Sequence, residues 1–167
     1  AEKNPEAFLP DVALNLGKIA SLYCQLHKYD LAEEGYNEAL DIYRKLAEKN
    51  PDAFLPRFAD YLGNIASLHK SLHQFNLAEK ECNETLAIYR KLAAKNPDTF
   101  LPNVANCLGN LANLHSNLHK YELAEEEYNE ALKIYRELVD MNPDAFLPDV
   151  ALNLSNHAGL HRDLHKY

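Results

Sequence analysis

A period of 46 residues constrains this chain more than any other feature. Asn-Pro recurs at Asn4-Pro5, Asn50-Pro51, Asn96-Pro97 and Asn142-Pro143, and Phe-Leu-Pro follows in register from Phe8, Phe54, Phe100 and Phe146. Residues 1–46 and 47–92 are identical at 29 of 46 positions without a gap. Such a chain builds the same local structure in each unit and packs each unit mainly on its neighbours. Ala1 is equivalent to Ala47, in the tail of a unit. His165-Lys166-Tyr167 is equivalent to His27-Lys28-Tyr29, where a second helix is due, so the sequence is expected to be a fragment of a longer array.

Within a unit the hydrophobic spacing predicts two helices. The first runs from about Pro10 to His27, with Pro10 in its first turn, where a missing N–H costs nothing. Its apolar positions, Val12, Ala13, Leu16, Ile19, Ala20, Tyr23 and Leu26, have the spacing of one buried face. His27 tolerates left-handed backbone and can end the helix. The second helix is expected from Asp30, capped with Glu33, to about Lys49, and buried through Leu31, Ala32, Tyr36, Ala39, Leu40, Tyr43 and Leu46. Asn76 with Glu79 repeats the cap, and Glu122 weakens it in the third unit. Asn50 is expected to cap a short turn, with Phe54 and Leu55 buried in the connection. Neither helix can bury its apolar face alone, but stacked pairs can. The expected fold is therefore all-α, a right-handed solenoid of stacked antiparallel helix pairs. Its expected parts are a tail (1–10), repeats at 11–55, 56–101 and 102–147, and a first helix of a fourth repeat (148–167).

Composition narrows the partners. Hydrophobic residues make up 47% of the chain, enough for a continuous core. The net charge of −8 argues against a nucleic-acid backbone or an anionic membrane surface as partner. No apolar run approaches the roughly 18 residues of a bilayer span. The polar start at Ala1-Glu2-Lys3-Asn4-Pro5 gives no sign of a signal peptide. Cys24, Cys82 and Cys107 are odd in number and widely spaced, which fits reduced thiols and a cytoplasmic setting.

Leu16, Ile19, Ala20 and Tyr23, followed by Ala32, Tyr36 and Ala39, resemble the tetratricopeptide repeat pattern. So do Leu62, Ile65, Ala66, His69, Ala78, Cys82 and Thr85, and then Leu108, Leu111, Ala112, His115, Ala124, Tyr128 and Ala131. The period departs from the usual 34 residues, and histidines His27, His73, His119 and His165 replace the usual turn glycine. The long period and Leu62-Gly63-Asn64-Ile65-Ala66 look most like the extended repeats of kinesin light chains and of bacterial sensor arrays.

The resemblance implies a protein or peptide ligand held in a concave groove lined by first helices. Inner-face positions map to Lys18, Asn64, Asn110 and Asn156, and one turn on to Ser21, Ser67, Asn113 and Gly159. Lys70 with Ser71, Ser116 with Asn117, and Arg162 with Asp163 stand toward the groove's end. An asparagine amide both donates and accepts, so a ladder of them can pair with the backbone of any peptide. Gly17, Gly63 and Gly109 would let that backbone approach closely. The competing reading is that these asparagines bond neighbouring helices or face water. The family's carboxylate clamp for Glu-Glu-Val-Asp tails is not expected, because Lys18, Lys70 and Arg162 do not fall at the clamp positions.

His69 with His73, His115 with His119, and His161 with His165 are i, i+4 pairs, and His157 extends the last. The spacing could present two imidazoles to zinc. But the first of each pair replaces a core aromatic and the second a turn glycine, so a structural role is expected, with no metal and no cofactor. The carboxylates Glu33, Glu34, Glu38, Asp41, Glu125, Glu126, Glu127 and Glu130 recur on a predicted exposed face beside Arg44, Lys45, Arg90 and Lys91, as a solvated surface would. No phosphate loop, nucleophile elbow or catalytic triad stands out. The expected function is a non-catalytic protein-interaction scaffold. Two alternatives are a spacer that self-associates through exposed terminal helices, around Leu154, Ala158 and Leu160, and the sensor region of a larger signalling protein.

Overall fold

A computed structural model describes the backbone of residues 5–164 and the side chains of residues 7–162. Among these residues every regular element is helical. A 3₁₀ turn (Pro5–Phe8) leads into α1 (Leu9–Gln25), α2 (Tyr29–Lys49), α3 (Pro51–Ser71), α4 (Phe75–Ala93), α5 (Pro97–Asn117), α6 (Tyr121–Met141) and α7 (Pro143–Leu164). The chain forms two compact units, Ala1–Ile88 and Tyr89–Tyr167. In the first, α2 packs on α1 before it and α3 after it; in the second, α6 does the same with α5 and α7. Within each unit the middle helix rests on its sequence neighbours, which is the solenoid arrangement. No helix among the described residues is long and apolar enough to cross a membrane.

Alanine sets the helix spacing. Ala13, Ala20, Ala32 and Ala39 in the first unit, and Ala105, Ala112, Ala124 and Ala131 in the second, have no exposed surface. Small side chains at facing positions let two backbones close up, and larger residues fill the flanks. Tyr36, Leu40, Tyr43, Phe58, Leu62 and Ile65 share the first unit's core with these alanines. Each fully buried Leu, Ile or Phe contributes roughly 1.5–3 kcal/mol.

The helix ends follow two designs. Three first helices, α1, α3 and α5, close on a histidine at positive φ: 56° at His27, 59° at His73 and 58° at His119. The amide of His27 donates to Cys24 O and that of Lys28 to Tyr23 O, the paired bonds of a Schellman motif. The side chain explains why histidine serves here instead of glycine. His27 Nδ1 bonds Tyr29 Oη at 2.8 Å, His73 packs edge-on against Phe75, and His119 Nδ1 bonds Tyr121 Oη. The second design is shorter still. Asn50 alone separates α2 from α3: its amide donates to Leu46 O, its carbonyl accepts from Phe54 N, and its side chain accepts from Ala53 N. Pro51 follows at the first helical position, where no N–H is needed.

Several sequence expectations change. Three first helices begin at Pro51, Pro97 and Pro143 and run through Pro56, Pro102 and Pro148. Phe54 and Leu55 therefore lie in α3, half-buried, and not in a connection. Only α1 starts beside its Phe-Leu-Pro proline. A proline six residues into a helix forfeits a single hydrogen bond, and in α3 and α7 the packing on α2 and α6 offsets it. α2 begins at Tyr29, with no side-chain cap at Lys28, so Asp30 and Glu33 form no capping box. Val12, Ile19 and Leu26, expected in the core, are about half exposed. In α3 the equivalent Phe58 and Ile65 lie in one cluster with α2, whereas α1 has no such helix before it among the described residues. Leu31 is also exposed, as are Leu77 and Leu123 in its register. At the far end Leu154 is exposed but Leu160 is buried, packed in a cluster with Tyr128 and Ala124 of α6. Leu160 thus belongs to the core and not to an open terminal face. His165-Lys166-Tyr167, expected to end that helix, lies outside the described residues.

Candidate functional site

The predicted inner-face residues fall on first helices in both units. In the first unit Lys18 and Ser21 are exposed on α1, Asn64 and Ser67 are exposed on α3, and Lys70 is half-buried there. The two columns behave differently. Ser67 Oγ donates to Gly63 O at 3.0 Å and Ser71 Oγ to Ser67 O at 2.9 Å. These hydroxyls are spent locally, whereas the Asn64 amide makes no side-chain bond among the described residues.

The second unit gathers its asparagines into clefts. One, of about 670 Å³, is lined by Asn113, Ser116 and Asn117 of α5 and by Ser155, Asn156 and Arg162 of α7, with Tyr128 and Leu160 behind them. A smaller cleft beside it is lined by Asn106, Gly109, Asn110, Asn153 and Asn156, and Asn113 and Asn156 border both. Asn113 is fixed: its Nδ2 donates to Gly109 O at 2.8 Å, and its Oδ1 accepts from Tyr128 Oη at 2.9 Å. Burial, with Glu127 nearby, pushes the Tyr128 hydroxyl up to about 12, so it stays a donor. Asn110, Asn117 and Asn156 make no side-chain bond among the described residues. The arrangement offers amide donors and acceptors on a rigid helical floor.

Sequence reading missed Asn106 and Asn153. Asn106 Oδ1 accepts from Tyr135 Oη at 2.8 Å, and burial pushes that hydroxyl well above its usual range. Asn153 is buried with its Oδ1 unpartnered. Both stand at positions that vary from unit to unit, Asn106 in register with Leu14, Asp60 and Leu152, and Asn153 with Asn15, Tyr61 and Cys107, so the repeat gave no signal for them. The glycines also change meaning. A Cβ on Gly17 would stand 1.8 Å from the Tyr61 ring, so that gap receives a tyrosine and not a ligand.

The histidines divide into three kinds. His69 and His115 are buried, and each holds a carboxylate through Nδ1 at 2.8 Å, from Glu81 and Glu127. Burial raises the Glu81 carboxyl against the pull of His69. His69 Nε2 also stands 3.5 Å from Glu33 Oε1. His27, His73 and His119 end helices. His157 and His161 do neither. His157 stacks on Tyr128, the two histidine rings are 4.7 Å apart, and His161 Nε2 lies 3.9 Å from Glu125 Oε1. Burial, and then the neighbouring His161, lower the proton affinity of His157. His165 lies outside the described residues.

Sequential packing of paired helices, with a polar face on the first helix of each pair, defines a helical-repeat interaction protein. The family model of the tetratricopeptide repeat matches residues 57–137, which identifies that stretch as tetratricopeptide repeats. No curated protein sequence matches it. Among solved structures it is similar to the first such domain of Spaghetti (RPAP3) bound to the HSP90 peptide SRMEEVD. That match has a TM-score of 0.56 and 21% identity over 93% of this chain and 94% of that one. BtubC (BKLC) from P. vanneervenii gives a TM-score of 0.62 and 18% identity over 100% of this chain and 68% of that one. At these identities the likeness is one of fold. The tetratricopeptide repeat is a protein-interaction scaffold.

Proposed function

We propose that this scaffold binds an extended peptide segment through the polar faces of its first helices. Lys18, Ser21, Asn64, Ser67 and Lys70 would serve in the first unit, and Asn110, Asn113, Asn117 and Asn156 in the second. The observation that carries the reading is the asparagine-lined cleft between α5 and α7. Asn117 and Asn156 keep unspent amide groups there, while Asn113 is locked by Tyr128. An unspent amide meets a peptide group with a donor and an acceptor at once, so it grips a backbone without reading its side chains. Sequence preference would come from Ser116 and Arg162 in the same cleft. The similar domain of Spaghetti binds a peptide ending in Glu-Glu-Val-Asp. With its basic residues away from the clamp positions, this chain is expected to prefer other sequences.

The test is to select binders from a displayed peptide library and measure their affinity by fluorescence polarisation. Replacing Asn110 and Asn156 together with Ala should weaken binding by at least about tenfold, the loss of two net hydrogen bonds. Unchanged affinity in that variant, and in Asn64→Ala, would sink the proposal.

A specific observation also favours a second reading, self-association through α1. Val12, Ile19 and Leu26 repeat every seven residues, with Leu22 beside them, and all four are about half exposed. Light scattering should show a concentration-dependent dimer that Ile19→Asp abolishes; a strict monomer at high concentration counts against it.

A further inference from the structure

We propose that His157 and His161 of α7, together with Glu125 of α6, form a binding site for a divalent transition-metal ion of the zinc type. Their ligand atoms all lie within 4.8 Å of one another. His157 and His161 are one helical turn apart, so both imidazoles leave the same face of α7. Glu125 approaches from the neighbouring helix.

The repeat itself shows what is unusual here. Position 157 corresponds to Ile19, Ile65 and Leu111 in the other units. Ile65 is 1% exposed and Leu111 fully buried, so the register calls for an aliphatic core residue. The fourth unit places an imidazole there. Its ring stacks on Tyr128 as a core side chain would, at 5.4 Å and 25°. Its Nε2 is shut off from solvent with no hydrogen-bond partner. A buried polar atom without a partner costs free energy, and a plain structural role does not explain why it is there.

Position 161 makes the same point from the other side. It corresponds to His69 and His115, which are buried and engaged with Glu81 and Glu127 through Nδ1. His161 is instead half exposed, facing Glu125 across 3.9 Å. His69 and Glu33 keep the same register, so the His161–Glu125 approach is part of the repeat, and His157 is the added ligand. Two neutral imidazoles and a carboxylate are a borderline donor set that suits zinc, copper or nickel better than magnesium or calcium. Zinc–ligand bonds of about 2.0–2.2 Å need the donor atoms somewhat closer together than they stand. His161 and Glu125 are half exposed and can rotate inward, leaving His157 in place. A bound ion would take the lone pair of the orphaned His157 nitrogen and leave a position for water.

The experiment titrates the whole chain with Zn²⁺ against a chromophoric chelator, and follows thermal unfolding with and without the metal. The expected result is one site of micromolar affinity, a rise in Tm with zinc, and no response to Mg²⁺. His161→Ala should weaken binding by at least about tenfold, the scale on which even outer-shell changes act at metal sites. His157→Leu restores the residue type of Leu111. It should fold at least as stably as the parent and lose the zinc-dependent rise in Tm. His73→Asn changes a helix-ending histidine in the other unit and should leave zinc binding intact. Equal zinc affinity in His157→Leu and the parent would overturn the proposal, as would a parent chain that shows no zinc-dependent rise in Tm.

Discussion

Gly17 has no room for a methyl group, and the reason lies 44 residues away in Tyr61. Tyr61 stacks on Tyr43 at 5.3 Å and 15° and donates to Leu14 O at 3.4 Å, so it cannot swing aside cheaply. Gly17→Ala should therefore destabilise by roughly 1–3 kcal/mol despite alanine's helix preference. Gly159, in register with Ser21, Ser67 and Asn113 instead, has nothing within 4 Å of its added Cβ. Gly159→Ala should stabilise by up to about 1 kcal/mol. Urea unfolding of the two variants measures both signs. Tyr135 gives a second residue-scale expectation. Burial holds its hydroxyl protonated well above the ordinary value of 10.0. A folded-state value above the unfolded one means stability is full below about pH 10 and falls as pH rises toward the folded value. Tyr135→Phe should flatten that alkaline loss in a series of unfolding curves, although it also gives up the bond to Asn106.

Between elements, the chain alternates a histidine turn with an asparagine hinge. The hinge residues are not equal. Asn50 and Asn142 accept from the amides of Ala53 and Ala145 at 3.4 and 3.3 Å, whereas Asn96 makes no side-chain cap bond. Both bonds are long, so Asn50→Ala and Asn142→Ala should each cost about 0.5–1 kcal/mol, at the low end for such caps. Asn96→Ala should cost measurably less, and thermal unfolding of the three variants ranks them. The helices themselves were legible from hydrophobic spacing, and so was the left-handed histidine. Their starts were not. Pro10 and Pro56 occupy equivalent positions, yet one sits at a helix start and the other inside a helix. Local proline rules cannot separate those cases, because the same Asn-Pro stands ahead of each; the difference is that α3 packs on a preceding helix, α2.

At the scale of the whole molecule, the period made the architecture readable, since each stretch was compared with its own copies. What the period hid was where the copies differ in environment. Val12 and Ile65 belong to one apolar face of the repeat, yet the first is exposed and the second buried, because α3 packs on a helix before it and α1 does not among the described residues. The site was half legible: the face carrying Asn110, Asn113 and Asn156 followed from register, but the spending of Asn113 on Tyr128 depends on a side chain from another helix. Net charge acts on the molecule as a unit. At −8 it should draw basic peptides faster than neutral ones. Stopped-flow association of a Lys-rich ligand should slow as ionic strength rises from about 0.01 to 0.15 M and the screening length shrinks from about 30 to 8 Å. The asparagine hinge has a further consequence, for how such an array can change length. One residue inserted between Lys49 and Pro51 would rotate α3 by about 100° and carry Phe58 and Ile65 off α2. An insertion in the three-residue histidine turn leaves each helix its own phase. Copies of this unit can therefore be gained or lost whole, whereas a single residue added at the hinge should cost the packing of α3 on α2.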